Sequence, residues 1–323
     1  MRNKKSITTV LLWSFIGLLL LIACSDTQDK PITYIYSHSW GEEGDAEGQL
    51  FHPIGISIHE EMVYVSDAGN HRIQVFDKQG TFIRSFGKKG TKRAQLNRPM
   101  HLAFGGDTLF VPEYLNDRIQ LFSPDGKSLA IIGSSGTGEG GFDAPGGVSV
   151  DDRTGLVLVA DFYNHLIQGF ERDGNFLEQF GTGEYGSESG VFTYPTDVAH
   201  MGDGSGDFVV ADAYNNRIQK LSRNGEVIWM IPDTTTNAGS THGLFDVATA
   251  VETDDERVYA VDFENHRVQV FTNSGQFVTS FGKEGTGEGQ FRRPTDVAID
   301  KNGTVFVVDF GNNRIQVFKS QIP

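Results

Sequence analysis

A twelve-residue pattern that returns six times leaves a chain of this kind few ways to fold. Its first copy reads Val65-Ser66-Asp67-Ala68-Gly69-Asn70-His71-Arg72-Ile73-Gln74-Val75-Phe76. The acid recurs at Glu113, Asp161, Asp212, Asp262 and Asp309, at spacings of 46, 48, 51, 50 and 47 residues. An asparagine follows three residues after each acid, and a glutamine seven after. Arginine stands five after it in every copy but the third, which has Leu166. Repeats of this length are single supersecondary units that bury their apolar faces only by stacking on their neighbours. Each unit reads as four short strands, rich in β-branched and aromatic residues and bounded by Gly, Asn and Asp turns. The last one places strands over Thr295–Asp300, Thr304–Asp309 and Arg314–Phe318. No stretch sustains a helical period. The fold class is all-β.

The last unit stops before a fourth strand. Its replacement is at the other end of the chain, where Ile32 to Gly41 matches Thr81 to Gly87 in pattern, with Trp40 in the place of Phe86. The N-terminal strand is therefore expected to complete the last unit and close a ring, leaving only short outer edges exposed. The Asp-x-x-Asn-x-Arg-Ile-Gln pattern at this spacing resembles the NHL-repeat family of six-bladed β-propellers, and the resemblance covers residues 31–323. It implies a six-bladed β-propeller of four-stranded antiparallel blades, with the propeller domain at residues 32–323. Such a likeness is specific for fold and not for activity. One closed ring is expected to be monomeric.

The segment before the repeats reads as an address. Arg2, Lys4 and Lys5 form a basic start, and residues 10–23 carry no charge, a run too short for a comfortable membrane span and suited to a signal peptide. Leu21-Ile22-Ala23-Cys24 resembles the bacterial lipobox, which implies cleavage before a diacylated Cys24. Residues 1–23 are then a lipoprotein signal peptide, and residues 24–31 a lipidated cysteine with a polar tether. The expected location is extracytoplasmic, lipid-anchored to the cell membrane, and to the outer membrane in a diderm host. Removing three basic residues takes the formal charge from −15 to −18. A chain so acidic repels nucleic acid. Its single cysteine excludes a disulfide framework and any Cys-rich zinc module.

Strand alternation places two kinds of loop on one face: the Gly-rich loops that lead into each first strand, and the Asp-x-x-Asn turns. A proline marks the start of the first strand at Pro53, Pro99, Pro145, Pro195 and Pro294, with Ala248 in the fifth unit. Two residues on, where the strand begins to line the central channel, stand Gly55, His101, Gly147, Asp197, Ala250 and Asp296. The turns around them offer Tyr114, Phe162, Tyr163, Tyr214, Phe263 and Phe310. The expectation is an aromatic collar over a mouth holding His101, Asp197 and Asp296. Aromatic rings there suit a sugar or an apolar peptide side chain. The three polar residues suit a channel cation, for which Asp197 and Asp296 are the metal candidates. No other cofactor is implied. The sixfold Asp and Arg positions are too regular for one site and read as structural.

Two readings remain open: a binding or scaffold module, which is preferred, and a propeller enzyme of lyase or lactonase type using a cation held in the central channel. In the amidating lyases that share this resemblance, zinc is held by histidines directly after the leading proline. The corresponding positions here are Ile54, Met100, Gly146, Thr196, Thr249 and Thr295. Glycine-rich runs such as Gly136 to Gly141 lack the Lys-Ser/Thr and the helix that a phosphate cradle needs. The expected partner is a protein, peptide or glycan. The irregular stretch from Ile231 to Phe245, which lacks the usual landmarks, is a candidate for specificity.

Overall fold

The computed structural model describes residues 32–233 and 238–321. The signal peptide, Cys24 and the tether lie outside the described residues. The body is a ring of six four-stranded antiparallel sheets, five running in chain order from an inner to an outer strand and the sixth taking its outer strand from the N-terminal end. The sixth is closed as the sequence predicts. Thr33–Trp40 pairs with Arg314–Gln321 in a ladder running from Thr33 opposite Gln321 to Trp40 opposite Ile315. The inner strand of that blade, Asp296–Ile299, is shorter than the sequence pattern suggests, whereas Thr304–Asp309 matches it.

Six apolar clusters hold the ring, one between each pair of neighbouring blades. The cluster across the closure joins Val63, Val65 and Phe76 of blade one to Phe306, Val308 and Val317 of blade six, with Trp40 packed against it. Each loop between blades drives one large residue into these seams: Leu50, Leu96, Phe142, Phe192, Phe245 and Phe291 are all buried. The glycine that ends the outer strand makes room for it. Gly133 has φ +75°, and a Cβ there would lie 2.2 Å from Phe142; Gly282 has φ +94°, with Phe291 at 2.4 Å. Only glycine meets both demands. Between blades four and five Pro232 replaces this glycine, which is why the stretch after Ile231 departs from the repeat.

The repeated polar residues form two ladders. In the first, Asp67 accepts hydrogen bonds from the Phe51 amide (2.7 Å), Arg72 Nε (2.7 Å), Asn70 and Gln74. Arg72, Asn70 and Gln74 in turn donate to carbonyls of the loop between blades, at Ala46, Gly44 and Gln49. The same set recurs around Glu113, Asp212, Asp262 and Asp309. Every buried partner is matched, as a buried carboxylate and guanidinium require. Blade three lacks the arginine: Asp161 keeps the Asp143 amide, Asn164 and Gln168, and Leu166 is buried in the arginine's place. Burial then pushes the Asp161 carboxyl up to about 6.

The second ladder joins neighbouring blades. The residue after each repeated asparagine adopts a left-handed backbone and accepts an amide N–H from the next blade. His71 Nδ1 accepts from Arg98, Asp117 from Ala144, His165 Nδ1 from Tyr194, Asn216 from Val247, His266 Nδ1 from Arg293 and Asn313 from His52. The position changes residue type from blade to blade while keeping an acceptor.

Candidate functional site

The channel is lined in layers set by the start of the inner strands. The pairing slips there, between Pro145 and Val148, Pro195 and Asp197, and Ala248 and Ala250, so consecutive residues of one strand contribute to different layers. The upper layer takes one residue from each blade: Ile54, Met100, Gly146, Thr196, Thr249 and Thr295. They surround a cavity of 170 Å³ rimmed by Tyr114, Phe162, Phe263, Phe310 and Arg98. Four of the six expected aromatic residues therefore line the mouth.

Tyr163 and Tyr214 stand outside it. They are 46% and 60% exposed and pack around Phe162 and Tyr194 on the rim. Phe162 is the hub, with ring centroids 4.9 Å from Tyr163 and Tyr194 and 6.1 Å from Tyr114 and Tyr214. The hydroxyl of Tyr114 donates to that of Tyr163 at 3.0 Å, and the Arg98 guanidinium lies 5.1 Å from the Tyr114 ring centre. Burial and the Tyr163 hydrogen bond raise the Tyr114 phenol well above its usual range, so it remains a donor.

The second layer is the ring Gly55, His101, Gly147, Asp197, Ala250 and Asp296. His101, Asp197 and Asp296 are 5%, 4% and 4% exposed, and each offers a ligand atom within 4.8 Å of the others. His101 Nδ1 stands 3.4 Å from Asp197 Oδ2 and 3.8 Å from Asp296 Oδ1, with no hydrogen bond to either. The carboxylates are oriented by backbone. Asp296 accepts from the amides of Ile56 and Val297, and Asp197 from the amide of Val251. The small residues between them are sterically required: a Cβ on Gly147 would lie 2.0 Å from Asp197 Oδ1, and one on Gly55 2.6 Å from His101 Cα.

The electrostatics follow from this crowding. Burial alone would lower the His101 imidazole, but the charges of Asp296 and Asp197 outweigh it and push it to about 9. Burial pushes Asp296 to about 7, against the pull of His101. The mouth does not hold all three groups, as the sequence suggests. His101 borders both cavities, whereas Asp197 and Asp296 border a second one of 480 Å³ on the far side of the layer.

That second chamber adds groups missed in the sequence. Ser149 Oγ accepts the His200 amide at 3.0 Å and shares a second hydrogen bond with His200 Nδ1, also at 3.0 Å, whose direction follows the imidazole tautomer. His200 Nε2 is buried with no hydrogen-bond partner among the described residues. Desolvation lowers this imidazole to about 4 and raises Glu252, in the same wall, to about 8. Ser149 and Glu252 follow Gly147 and Ala250 by two residues, so extending the strand alternation would have found them. Arg98 and Tyr194 directly precede leading prolines, a position that no shared residue type marks across the units.

Comparison with known proteins agrees with this architecture. The NHL repeat family matches residues 142–170 and 291–318. Protein brain tumor of Drosophila melanogaster is 31% identical over 146 residues, 45% of this chain and 13% of that protein. Peptidyl-glycine alpha-amidating monooxygenase B of Xenopus laevis is 32% identical over 158 residues, 46% of this chain and 18% of that protein. The matches thus span under a fifth of these relatives. Among solved structures, an inactive virginiamycin B lyase from Staphylococcus aureus superposes with a TM-score of 0.58 at 15% identity, covering 90% of this chain and 87% of the lyase, a likeness of fold alone. Repeat pattern, closed ring and family match converge: the chain carries NHL repeats and folds as a six-bladed β-propeller.

Proposed function

We propose that this propeller is a membrane-anchored, extracytoplasmic binding module that takes a protein or peptide segment on its collar face. The observation that carries the reading is the rim itself. Exposed Tyr163 and Tyr214 are held by edge contacts with half-buried neighbours beside an apolar mouth. Tyrosines fixed in this way give large contact area at low entropic cost, and a rigid ring needs no rearrangement to present them. At 170 Å³ the mouth admits one apolar side chain and falls short of the roughly 300 Å³ that a small-molecule site occupies. An open groove of 460 Å³ shares Ile54, Arg98 and Phe310 with the mouth and gives an extended segment room to continue. Lipid on Cys24 supplies the anchor in this reading, and the acidic surface disfavours nucleic acid.

The lyase relatives support enzymatic use of the channel less well. The six upper-layer positions, where the amidating lyases place zinc-binding histidines, hold no imidazole here. A peptide and glycan array probed with the purified propeller tests the proposal. Saturable peptide binding that falls at least tenfold in Tyr163→Ala and Tyr214→Ala, with far-ultraviolet dichroism unchanged, supports it. Binding indifferent to both substitutions refutes it.

A further inference from the structure

The second channel layer alternates strictly. Blades one, three and five contribute Gly55, Gly147 and Ala250, and blades two, four and six contribute His101, Asp197 and Asp296. Three donors from alternate blades of a six-bladed ring converge on the axis from three sides. The small residues between them leave no side chain to fill the centre, and at Gly147 a Cβ would collide with the Asp197 carboxylate. Two independent features mark the centre as a place for a ligand. His101 is 95% buried by its 5% exposure, and its Nδ1 points at both carboxylates yet has no hydrogen-bond partner. The carboxylates are already oriented by the amides of Ile56, Val297 and Val251, as outer partners orient the ligands of a metal.

We propose that His101, Asp197 and Asp296 form a site for a first-row transition-metal dication, with zinc as the best-fitting probe. The donor set is one imidazole nitrogen and two carboxylate oxygens. Two carboxylates neutralise a dication, and the imidazole favours zinc, iron or nickel over calcium or magnesium, which prefer all-oxygen ligands. Three protein ligands leave coordination positions free. The chamber that Asp197, Asp296 and His101 share, walled further by Ser149, His200 and Glu252, is where a water or ligand would reach them. This site lies one layer below the positions that bear zinc ligands in the amidating lyases. Of its three residues only His101 also borders the mouth of the collar proposed above.

The test uses the full chain, stripped with a chelator and then titrated separately with zinc, manganese, calcium and magnesium chlorides. Calorimetry and elemental analysis after desalting are the readouts. One equivalent of zinc per chain, with a raised thermal midpoint and at least tenfold weaker binding of calcium and magnesium, is expected. His101→Gln and Asp197→Asn should each weaken zinc at least tenfold. His242→Gln, at an exposed histidine packed on Phe277 of the outer strand Phe277–Phe281, should not. The wild-type titration stands even if a channel variant fails to fold. Absence of stoichiometric zinc in the wild type overturns the site, as does full retention of zinc by folded His101→Gln. Peptide binding by the stripped wild type is measured alongside, so that loss of the metal site and loss of the collar reading remain separable.

Discussion

Asp212 and Asp296 are both carboxylates withdrawn from water, and they differ in what surrounds them. Asp212 meets Arg217, Asn215, Gln219 and the Thr193 amide, all from its own blade and the loop leading into it. The five other blades repeat a carboxylate there, aspartate in four and Glu113 in blade two, each accepting the equivalent amide. Asp296 meets two amides, and its side-chain neighbours His101 and Asp197 come from blades two and four. Only Asp197 of blade four repeats it; the other blades hold Gly55, His101, Gly147 and Ala250 at that position. A residue that recurs sixfold with local partners holds the unit together. A residue that breaks the repeat and faces unlike neighbours across the axis has no such duty, and its burial needs another explanation.

The strongest way to break this comparison is to remove a ladder acid. Asp212→Ala leaves Arg217, 1% exposed, without its countercharge. Breaking a buried pair from one side costs about 3–5 kcal/mol. Urea unfolding should show a loss of that size, whereas Asp197→Asn in the chelated protein should lose much less, because it keeps an oxygen for the Val251 amide. Equal losses at the two sites would erase the distinction between ladder and channel.

Blade three sharpens the comparison from within the ladder. Without an arginine, the Asp161 carboxyl sits near 6 when folded against an ordinary value of 3.8. A folded state that holds its proton more tightly loses stability as pH rises through that window. The rise from 3.8 to about 6 amounts to about 3 kcal/mol. Leu166→Arg gives Asp161 the partner its five counterparts have. It should recover about 1–2 kcal/mol at pH 8, with the gain fading below pH 5, where Asp161 is protonated. A gain independent of pH would show that packing, and not charge, accounts for it.

The seams between blades answer to pH in the opposite sense. His71 and His165 accept amides through Nδ1 and are held below the ordinary histidine range, chiefly by desolvation. A depressed imidazole contributes stability that is present above about pH 6.5 and lost as pH falls through the folded value. Each broken seam bond should remove about 1 kcal/mol. Asparagine serves the same position in blades four and six, so His71→Asn with His165→Asn should flatten the acid limb of a thermal-melting profile.

Most of the ring was legible because its information is repeated. Six copies of one pattern located the blades, the turns and the closing strand, and Trp40 packs in the seam that the alignment with Phe86 implies. The second ladder was not legible, because His, Asp and Asn share only an acceptor atom and not a residue type. The channel triad was located by ring position, but not its division between two chambers. That depends on the slipped pairing at the start of the inner strands, which no spacing in the chain records. Tyr194 and Arg98 belong to the rim through a left-handed backbone before proline, a conformation that spacing does not reveal either.

The smallest expected effect is the most informative about the collar. Tyr163 and Tyr214 are held by edge contacts with Phe162 and Tyr194, and neither is buried in a seam. Truncating exposed side chains away from caps, cores and networks changes stability by about 0.5 kcal/mol or less. Tyr214→Ala should therefore leave the melting temperature almost unmoved. Tyr163→Ala should lose slightly more, since it also removes the acceptor of the Tyr114 hydroxyl. If both variants melt like the wild type, the rim is an addition to a ring that stands without it, and its aromatic surface is free to serve recognition. If either melts like Asp212→Ala, the collar is part of the scaffold, and the line between repeated and unrepeated residues no longer separates fold from function.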